Sequence, residues 1–227
     1  MKNKAIFPII NLIFCLILFS LCGCSEKDTP SDVSKSLEET EKILKKAGAL
    51  EKTELKGIPF DKFWKAVKEE GKKWAGKDFY VVKIESFRIN GFAAHDGFAA
   101  VWRAKILKAG EKKTKYVSFS EIKHIKAPKG LFIGSEDKFS YYGSAIEPSK
   151  IKLTANDADK KAKAYKKFKA TGYDQFIYVL KADGDKKDTP VWFVTKECTA
   201  KGIIKKKCSS KNSWRIKINA QNGEMIQ

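Results

Sequence analysis

Histidine, serine and cysteine are the side chains that could supply nucleophilic or acid–base chemistry, but their spacing in this chain does not favour catalysis. A nucleophile needs a base within hydrogen-bond reach, most often histidine. The 227-residue sequence has two histidines, His95 in a Gly/Ala-rich turn and His124 in a Lys-rich loop, and neither lies beside a serine or cysteine motif. Glycine-rich phosphate loops, HExxH and EF-hand patterns are absent from the sequence. We therefore expect no catalytic residue, no metal site and no cofactor, and both histidines in exposed loops.

The amino terminus has the pattern of a secretory signal peptide. Lys2 and Lys4 precede a nearly unbroken apolar run from Ala5 to Leu21. This run is short for a membrane-spanning helix, and no stop-transfer pattern follows it. We expect residues 1–23 to be a signal peptide, and the rest of the chain to be exported.

The end of the apolar run, Leu21-Cys22-Gly23-Cys24, resembles the lipobox of bacterial lipoproteins. Cys22 is a departure, because alanine or serine is more usual at that position. The resemblance implies lipid attachment at Cys24, and buried acyl chains contribute about 0.8 kcal/mol per CH₂ group. Residues 24–50 would then be the lipidated cysteine and a polar tether on the exported face of a bacterial membrane. The outer membrane is expected if the envelope is Gram-negative, since Ser25 follows. A plain signal peptide cleaved nearby and an uncleaved anchor are the alternatives.

Two cysteines remain for the exported body once Cys15 and Cys22 leave with the signal and Cys24 is lipidated. They are Cys198 and Cys208, in a compartment that permits disulfides. We expect them to bridge the two arms of a hairpin, which would contribute about 2–3 kcal/mol. A metal pair and a redox dithiol are the alternatives, but the spacing is not CxxC and both histidines are distant in sequence.

The charge balance is strongly basic. Lysine and arginine number 46 against 27 acidic residues, and subtracting Lys2 and Lys4 from the net charge of +19 leaves +17 on the exported part. Three of its basic residues are arginine: Arg88, Arg103 and Arg215. Dispersed lysine gives a diffuse, salt-sensitive field and not the bidentate contacts that arginine makes. The lysines either form an ordinary solvated surface or attract an anionic partner. Export of the protein argues against nucleic acid as that partner.

The exported body shows one pattern twice, a helix followed by antiparallel strands. After Pro59, aromatic and apolar residues recur at helical spacing from Phe60 to Trp74, and Thr154-Ala155-Asn156-Asp157 forms a capping box that opens a second helix. Strands are expected at Phe79–Ile89, Phe98–Leu107, Tyr116–Phe119, Phe176–Leu180, Val191–Lys196 and Trp214–Ile218, with a short last segment after Asn222-Gly223. The five tryptophans lie in these apolar elements, and we expect them mainly in cores.

Local matches align the two copies. Val101-Trp102 matches Val191-Trp192 at an offset of 90 residues, and Gly76-Lys77-Asp78 matches Gly172-Tyr173-Asp174 at an offset of 96. A period near ninety residues indicates duplicated small domains. We therefore expect an α+β fold of two units, residues 51–148 and 149–227, each with a helix packed on an antiparallel sheet.

The second unit resembles a PepSY domain. The resemblance rests on the threonine-led helix from Leu153 to Ala158, the strand Pro190-Val191-Trp192-Phe193-Val194 and the closing segment from Trp214 to Glu224. Asn219 stands where that family often has aspartate. Trp74, Asp78 and the strand from Gly97 to Trp102 make the first unit similar to the divergent partner module that precedes such domains in tandem lipoproteins. The resemblance implies a noncatalytic module, of a family associated with propeptides that restrain peptidases and with envelope proteins.

Two hypotheses of function follow. The first is a membrane-tethered, noncatalytic lipoprotein that binds a protein or peptide partner by a sheet face or edge, with an inhibitory or modulatory role. The second is a basic surface lipoprotein that adheres to anionic envelope lipids or polymers. High ionic strength should abolish the second kind of binding and spare a packed protein interface.

Overall fold

The structure is a computed structural model that describes residues 55–89, 92–111, 113–137, 144–165, 168, 171–184, 189–209 and 213–226. The signal peptide and the tether predicted for residues 1–50, including Cys24, lie outside these residues. In the order of the chain, the elements are β1 (Ile58–Pro59), α1 (Phe60–Ala75), β2 (Phe79–Ser86), β3 (Phe98–Ala99), β4 (Val101–Lys108), β5 (Lys113–Ser120), β6 (Gly130–Ile133), α2 (Ala155–Ala164), β7 (Asp174–Ala182), β8 (Pro190–Cys198), α3 (Ala200–Ile204), β9 (Trp214–Asn219) and β10 (Met225–Ile226). Short 3₁₀ turns lie at Gly76–Asp78, Ala109–Glu111 and Pro148–Lys150.

Eight of the strands form one antiparallel sheet. Their order across the sheet is β10-β9-β8-β7-β2-β4-β5-β6, and β1 pairs separately with β3. Strands from both halves of the sequence meet at the centre, where Lys83, Ile84 and Glu85 of β2 pair with Lys181, Leu180 and Val179 of β7. The α+β class with a large antiparallel sheet is thus confirmed.

The two halves of the sheet have the same internal order. In each half a helix is followed by a strand at the centre of the sheet, and the next strands are added outward, β2-β4-β5-β6 in one direction and β7-β8-β9-β10 in the other. The antiparallel β2–β7 pair therefore relates the halves by an approximate twofold rotation.

Two tryptophan hydrogen bonds lie at corresponding positions in the two halves. Trp102 of β4 donates its indole N–H to the carbonyl of Ile58 at 2.8 Å, two residues before α1 begins. Trp192 of β8 donates to the carbonyl of Leu153 at 2.9 Å, two residues before α2 begins. Each tryptophan fixes the entry of its helix onto the sheet.

One hydrophobic core holds α1 and α2 against the same face of the sheet. Phe60 is 2% exposed, and its ring centroid lies 5.3 Å from that of Trp102 and 5.1 Å from that of Trp192, edge to face in both cases. Val67 of α1 and Ala158 and Ala162 of α2 are also fully buried in this cluster. Because Phe60 touches a tryptophan from each half, the halves share this core.

The predicted helix starts hold in the structure. Helix α1 begins directly after Pro59 and places its aromatic stripe in the core. Helix α2 has the capping box: Asp157 N–H donates to Thr154 Oγ1 at 3.2 Å, and Thr154 N–H donates to Asp157 Oδ2 at 3.0 Å. These bonds satisfy amide groups that a helix start leaves without partners.

Some elements differ from expectation. The sequence predicts Ala158, Ala162, Tyr165 and Phe168 on one face of the second helix, but α2 ends at Ala164, so Tyr165 leaves the helix and is 38% exposed. Strand β6 was not predicted. Trp102, Trp192 and Trp64 are buried as expected, whereas Trp214 near the edge of the sheet is 47% exposed.

Candidate partner-binding face

The cysteines of the body form a disulfide in the structure. Cys198, at the end of β8, is bonded to Cys208 with a Cα–Cα distance of 5.8 Å, inside the usual range for disulfides. The bond closes the connection between β8 and β9, the two arms of the predicted hairpin, and this connection contains α3. A Cβ at Gly202 of α3 would lie 2.6 Å from Cys208 Sγ, so only glycine allows this close packing.

A pocket of about 420 Å³ opens beside this disulfide. Arg88, Phe92, Tyr173, Cys198 and Lys201 are among its lining residues. Arg88 also forms an ion pair with Glu197 of β8. The pocket lies at the end of the sheet and has no acid–base pair among the lining residues that would suggest chemistry.

The two histidines have different surroundings. The His95 side chain is 55% exposed, with Nδ1 2.9 Å from Asp96 Oδ2, whereas His124 is half-buried with its ring 5.0 Å from that of Phe87. Burial, followed by the charges of Lys126 and Arg103, lowers the pKa of His124. The expected exposed loop position holds for His95 and only in part for His124.

A buried polar network joins the two halves on the helix side of the sheet. The Tyr178 hydroxyl donates to Asp159 Oδ1 at 2.9 Å and accepts from the Gly97 N–H at 3.3 Å. Lys163 Nζ lies 2.6 Å from Asp159 and 2.7 Å from Asp96. Burial raises the pKa of Asp159, and its bonds to Lys163 and Tyr178 only partly oppose this effect.

The pKa of Asp96, at the exposed end of this network, shifts in the opposite direction. Hydrogen bonds from Lys163 and then from His95 lower its pKa to about 2. Because this folded-state pKa lies below the unfolded value of about 3.9, Asp96 stabilises the fold above pH 4, and the contribution disappears as the pH falls towards 2.

The variant Asp96→Asn tests this pH dependence. At pH 6 we expect it to reduce the free energy of unfolding by about 0.2–1 kcal/mol, the range for exposed ion pairs. The difference between wild type and variant should shrink between pH 4 and pH 2, as measured by urea unfolding at each pH. A difference that stayed constant over this range would show that Asp96 has no depressed pKa.

The face of the sheet opposite α1 and α2 is the main candidate site. Side chains alternate along each strand, so the residues that flank the buried ones project from this second face, called the open face below. Lys181 and Arg215 are exposed, and the side chains of Lys83 and Lys217 are 42% and 36% exposed. Among the described residues, both long helices pack on the other face.

The open face is basic. From the described strands it carries six basic side chains, Lys83, Arg103, Lys105, Lys181, Arg215 and Lys217, and two acidic ones, Glu85 and Glu197. Glu85 lies at the centre, 2.5 Å from Lys83 and 2.6 Å from Arg103. Burial acts to raise the pKa of Glu85, but the bonds from Lys83 and Arg103 outweigh it and hold the pKa below its ordinary value.

Aromatic rings hold several of these cations in place. Lys181 Nζ lies 5.0 Å and Lys217 Nζ 5.9 Å from the centre of the Phe193 ring. On the same face, over β4 and β5, the Arg103 guanidinium lies 4.8 Å and Lys105 Nζ 5.5 Å from the centre of the Tyr116 ring. Such contacts contribute about 0.5–1 kcal/mol at exposed sites.

Apolar side chains lie between the cations on the β7–β8 side. Val179 and Ile177 of β7 and Phe193 of β8 are all half-buried on the open face. Apolar side chains that stay partly accessible and are bordered by charged side chains are typical of surfaces that bind other molecules.

One outer strand of the sheet is also apolar. Leu131, Phe132 and Ile133 of β6 are 51%, 44% and 41% exposed. Strand β6 pairs with β5 on one side and is the last strand of the described sheet. An exposed edge strand can pair with an extended segment of another chain.

Sequence reasoning did not find the open face. The alternation of polar and apolar residues in β2, β4 and β7 is the available signal, but without the strand pairing the lysines form only a dispersed charge. Within the described residues, no group of three or more histidine, cysteine, aspartate or glutamate side chains is placed to hold a metal ion. The described part of the chain has no helix of the length and apolarity needed to cross a membrane.

Comparison of the chain with protein-family models, with curated proteins and with solved structures gives no match.

Proposed function

We propose that the protein is a noncatalytic envelope lipoprotein that binds a protein or peptide partner through the open face of its sheet. The lipid would be attached at Cys24, and residues 24–50 would tether the folded body to the exported face of the membrane. An inhibitory or modulatory effect on the partner fits this arrangement, because the open face offers a binding surface.

The observation that carries the proposal is the mixture of apolar side chains and cations on the open face. Helices α1 and α2 cover the other face. On the open face Val179, Phe193 and Ile177 are partly buried between cations, and a second apolar cluster that includes Val101 lies at one end. Large antiparallel sheets often have one solvated face, but that face is then mostly polar. Apolar and aromatic residues with a polar rim are typical of protein interfaces.

We further propose that the body is a tandem of two PepSY-like units, residues 51–148 and 149–227. The repeated order of a helix and outward-running strands supports this, as does the approximate twofold relation at β2–β7. The strongest support is the pair of bonds from Trp102 to Ile58 and from Trp192 to Leu153, each of which joins a strand tryptophan to the carbonyl two residues before a helix.

Adhesion to anionic envelope lipids or polymers is the second candidate function. The open face favours this function because its described strands carry six basic side chains and two acidic ones. Binding of this kind is driven by charge and weakens steeply with ionic strength.

Photo-crosslinking in the native envelope tests the proposal. A photoreactive phenylalanine analogue at Val179 would probe the open face, and the same analogue at Lys72, exposed on α1, is the matched control. We expect a protein adduct from position 179 that persists in 0.5 M salt, and none from position 72. Adducts only with lipid or polymer, lost at high salt, would favour the second function.

The anchor is tested separately. We expect palmitate to label the wild-type protein and not the variant Cys24→Ser, and the label to cofractionate with membranes. An unlabelled wild type recovered with its intact amino terminus from the cytosol would contradict the lipoprotein assignment.

A further inference from the structure

The pocket beside the disulfide contains a buried amide that has no partner. Gln175 of β7 lines this cavity of about 420 Å³ and is 7% exposed. Within the described part of the chain, the Gln175 side chain forms no hydrogen bond, and its amide atoms are not fully closed off from solvent, so they face the cavity. Nearly all buried polar side chains in folded proteins have a hydrogen-bond partner. An amide without one, in a cavity of this size, is placed to bind a ligand.

Apolar side chains form much of the lining. Ile89 is 9% exposed and Phe92 is half-buried, both in the segment that follows β2. Ile203 of α3 also lines the cavity and is 45% exposed. Pockets of about 300–1,000 Å³ with an apolar lining and a few polar groups are typical of ligand sites. The cavity therefore fits a ligand with a compact apolar part.

The disulfide fixes the part of the lining that α3 supplies. Helix α3 lies between Cys198 and Cys208, and its Gly202 packs so closely that an added Cβ would lie 3.0 Å and 2.6 Å from their Sγ atoms. The same Cβ would lie 2.8 Å from the Cβ of Tyr173. Because α3 is held in place without a ligand, the pocket loses little conformational entropy when a ligand binds.

Two cations lie among the described residues that line the pocket, and no carboxylate does. The Arg88 side chain is 55% exposed, and Lys201 of α3 is exposed. Arg88 also pairs with Glu197, but a guanidinium has five N–H donors and can bind a second carboxylate. These two side chains favour a ligand that has a carboxylate next to its apolar part.

The pocket continues the open face along β7. The side chains of Gln175, Ile177 and Val179 project from the same face of the sheet, because they alternate with the buried Phe176 and Tyr178. From Gln175 to Val179 the strand extends roughly 13 Å. An extended peptide on the open face therefore has room to end in the pocket while its preceding residues lie over Ile177 and Val179.

We propose that the pocket binds the carboxy-terminal residue of the partner, and that this residue is apolar. The N–H of the last peptide bond donates to the amide oxygen of Gln175, and the terminal carboxylate lies against Arg88 and Lys201. The last side chain packs against Ile89 and Phe92. The proposal rests on the proposed function and specifies the part of the partner that is recognised.

The Gln175 amide argues against a simple aliphatic or aromatic acid as the ligand. Such an acid has an apolar part and a carboxylate, but once the carboxylate lies against the cations it has no group left for Gln175. The amide would then stay without a partner in a closed pocket, which is unfavourable. A peptide terminus has a backbone N–H beside its carboxylate and its side chain, so it satisfies all three parts of the pocket.

Binding of defined peptides to the full-length chain in neutral detergent tests the proposal. The probe is the hexapeptide Gly-Ser-Gly-Ser-Ala-Leu with fluorescein on its amino terminus and a free carboxylate, followed by fluorescence anisotropy. Three control peptides have an amidated carboxy terminus, serine in place of the last leucine, or a methyl group on the last peptide nitrogen. We expect each control to bind about tenfold more weakly than the probe, because each lacks one of the three contacts. Equal binding of the probe and the three controls would overturn the proposal.

The variant Gln175→Leu tests the contact with the buried amide. Leucine fills a similar space without hydrogen-bonding groups, so binding of the probe should weaken about tenfold. The variant should bind the probe and the N-methylated peptide with similar affinity. Gln221→Leu, the same change at an exposed glutamine, is the matched control and should alter binding by less than about twofold. Equal effects of the two changes would contradict a role of Gln175 in the site.

Urea unfolding of Gln175→Leu gives a second readout. Because the amide has no partner among the described residues, an apolar side chain in its place should leave the urea midpoint unchanged or raise it. A lowered midpoint would show that the amide stabilises the fold, and would overturn the inference that it is kept for a ligand.

The variant Lys201→Gln tests the contact with the carboxylate. We expect severalfold weaker binding of the probe and no change for the amidated peptide, because only the probe has the charge that Lys201 contacts. Lys205→Gln is the matched control, at an exposed lysine directly after α3 that is not part of the pocket lining. A loss of the same size in the control, or for the amidated peptide, would show a general effect of charge and contradict the proposed contact.

A small acid is a further arm of the experiment. Phenylbutyrate, which has an apolar ring and a carboxylate but no amide, is titrated by calorimetry against the wild type and Gln175→Leu. If phenylbutyrate binds both equally well while the probe binds neither, the ligand is a small acid and the peptide proposal is wrong.

The crosslinking experiment at Val179 separates the pocket from the proposed function. Failure of the probe together with a salt-resistant protein adduct at Val179 would reject the pocket and leave the proposed function standing. Probe binding that depends on Gln175, without a protein adduct at Val179, would support the pocket and reject the open face as the interface.

Discussion

Replacing Phe60 by alanine is expected to reduce the free energy of unfolding by about 3–5 kcal/mol, the range for removing a large aromatic side chain from a core. Its ring is 2% exposed and contacts Trp102 and Trp192 from the two halves of the sheet. Because the cavity would open where the halves share their core, we expect both halves to lose stability together. Urea unfolding should show a single transition that coincides by tryptophan fluorescence and far-ultraviolet circular dichroism.

The variant Phe132→Ala is the matched control, since it deletes the same side chain from strand β6, where the ring is 44% exposed. We expect a loss within about 1 kcal/mol there. Two separate transitions in Phe60→Ala, or a loss no larger than that of the control, would show that the halves do not depend on a common core.

Replacing Gly97 by alanine is the second change with a large expected effect. Gly97 has φ of +75°, and an added Cβ would lie 2.5 Å from the backbone nitrogen of Asn156, which the capping box holds at the start of α2. The positive φ alone costs about 1–2 kcal/mol, and the backbone clash adds a typical overpacking penalty of about 1–3 kcal/mol. We expect a total loss of about 2–5 kcal/mol in urea unfolding.

Gly130→Ala isolates the contribution of the clash. Gly130 also has a positive φ, of +88°, but an added Cβ there would have no neighbour within 4 Å. The Gly130 variant should lose only the conformational contribution. Similar losses in Gly97→Ala and Gly130→Ala would mean that Gly97 and Asn156 move apart without a measurable loss of stability.

The hydrogen bonds of Gly97 explain why this crossing matters. Its carbonyl accepts from the Phe60 N–H at 3.0 Å at the start of α1, and its N–H donates to the Tyr178 hydroxyl of β7. One turn thereby contacts the beginnings of both helices and the central strand of the second half. A shift of Gly97 would disturb all three contacts.

Local patterns predicted the elements well. The aromatic stripe from Phe60 to Trp74 requires a helix, and the structure places it at Phe60–Ala75. The Thr154 capping box marked the start of α2, and the apolar runs around Trp102 and Trp192 became β4 and β8. These signals depend on residues close together in sequence, so the sequence alone could show them.

Pairing between distant strands could not be predicted in this way. The β2–β7 contact joins Lys83 to Lys181, and no local pattern states which strand lies beside which. The basic open face depends on several such registers at once, so the sequence alone shows its lysines only as a dispersed charge. Strand β6 was missed because Gly130–Ile133 is short and does not alternate polar with apolar residues.

The position of Trp214 shows another limit. It alternates with polar residues as a core residue would, but β9 lies next to the outermost strand, and its cross-strand partner is Lys196. Alternation predicts which side of the sheet a residue faces. Alternation does not predict how far along the sheet the covering helices extend.

The central position of β2 and β7 has a consequence for the speed of folding. Lys83 meets Lys181, so almost a hundred residues separate the two strands that join the halves. Closing a loop of this length costs entropy before any contact of the pair forms, and strand pairing between distant segments is intrinsically slow. Until the pair forms, the hydrogen-bonding groups of β2 on that side have no native strand to bind, and chains with such open strands are vulnerable to aggregation.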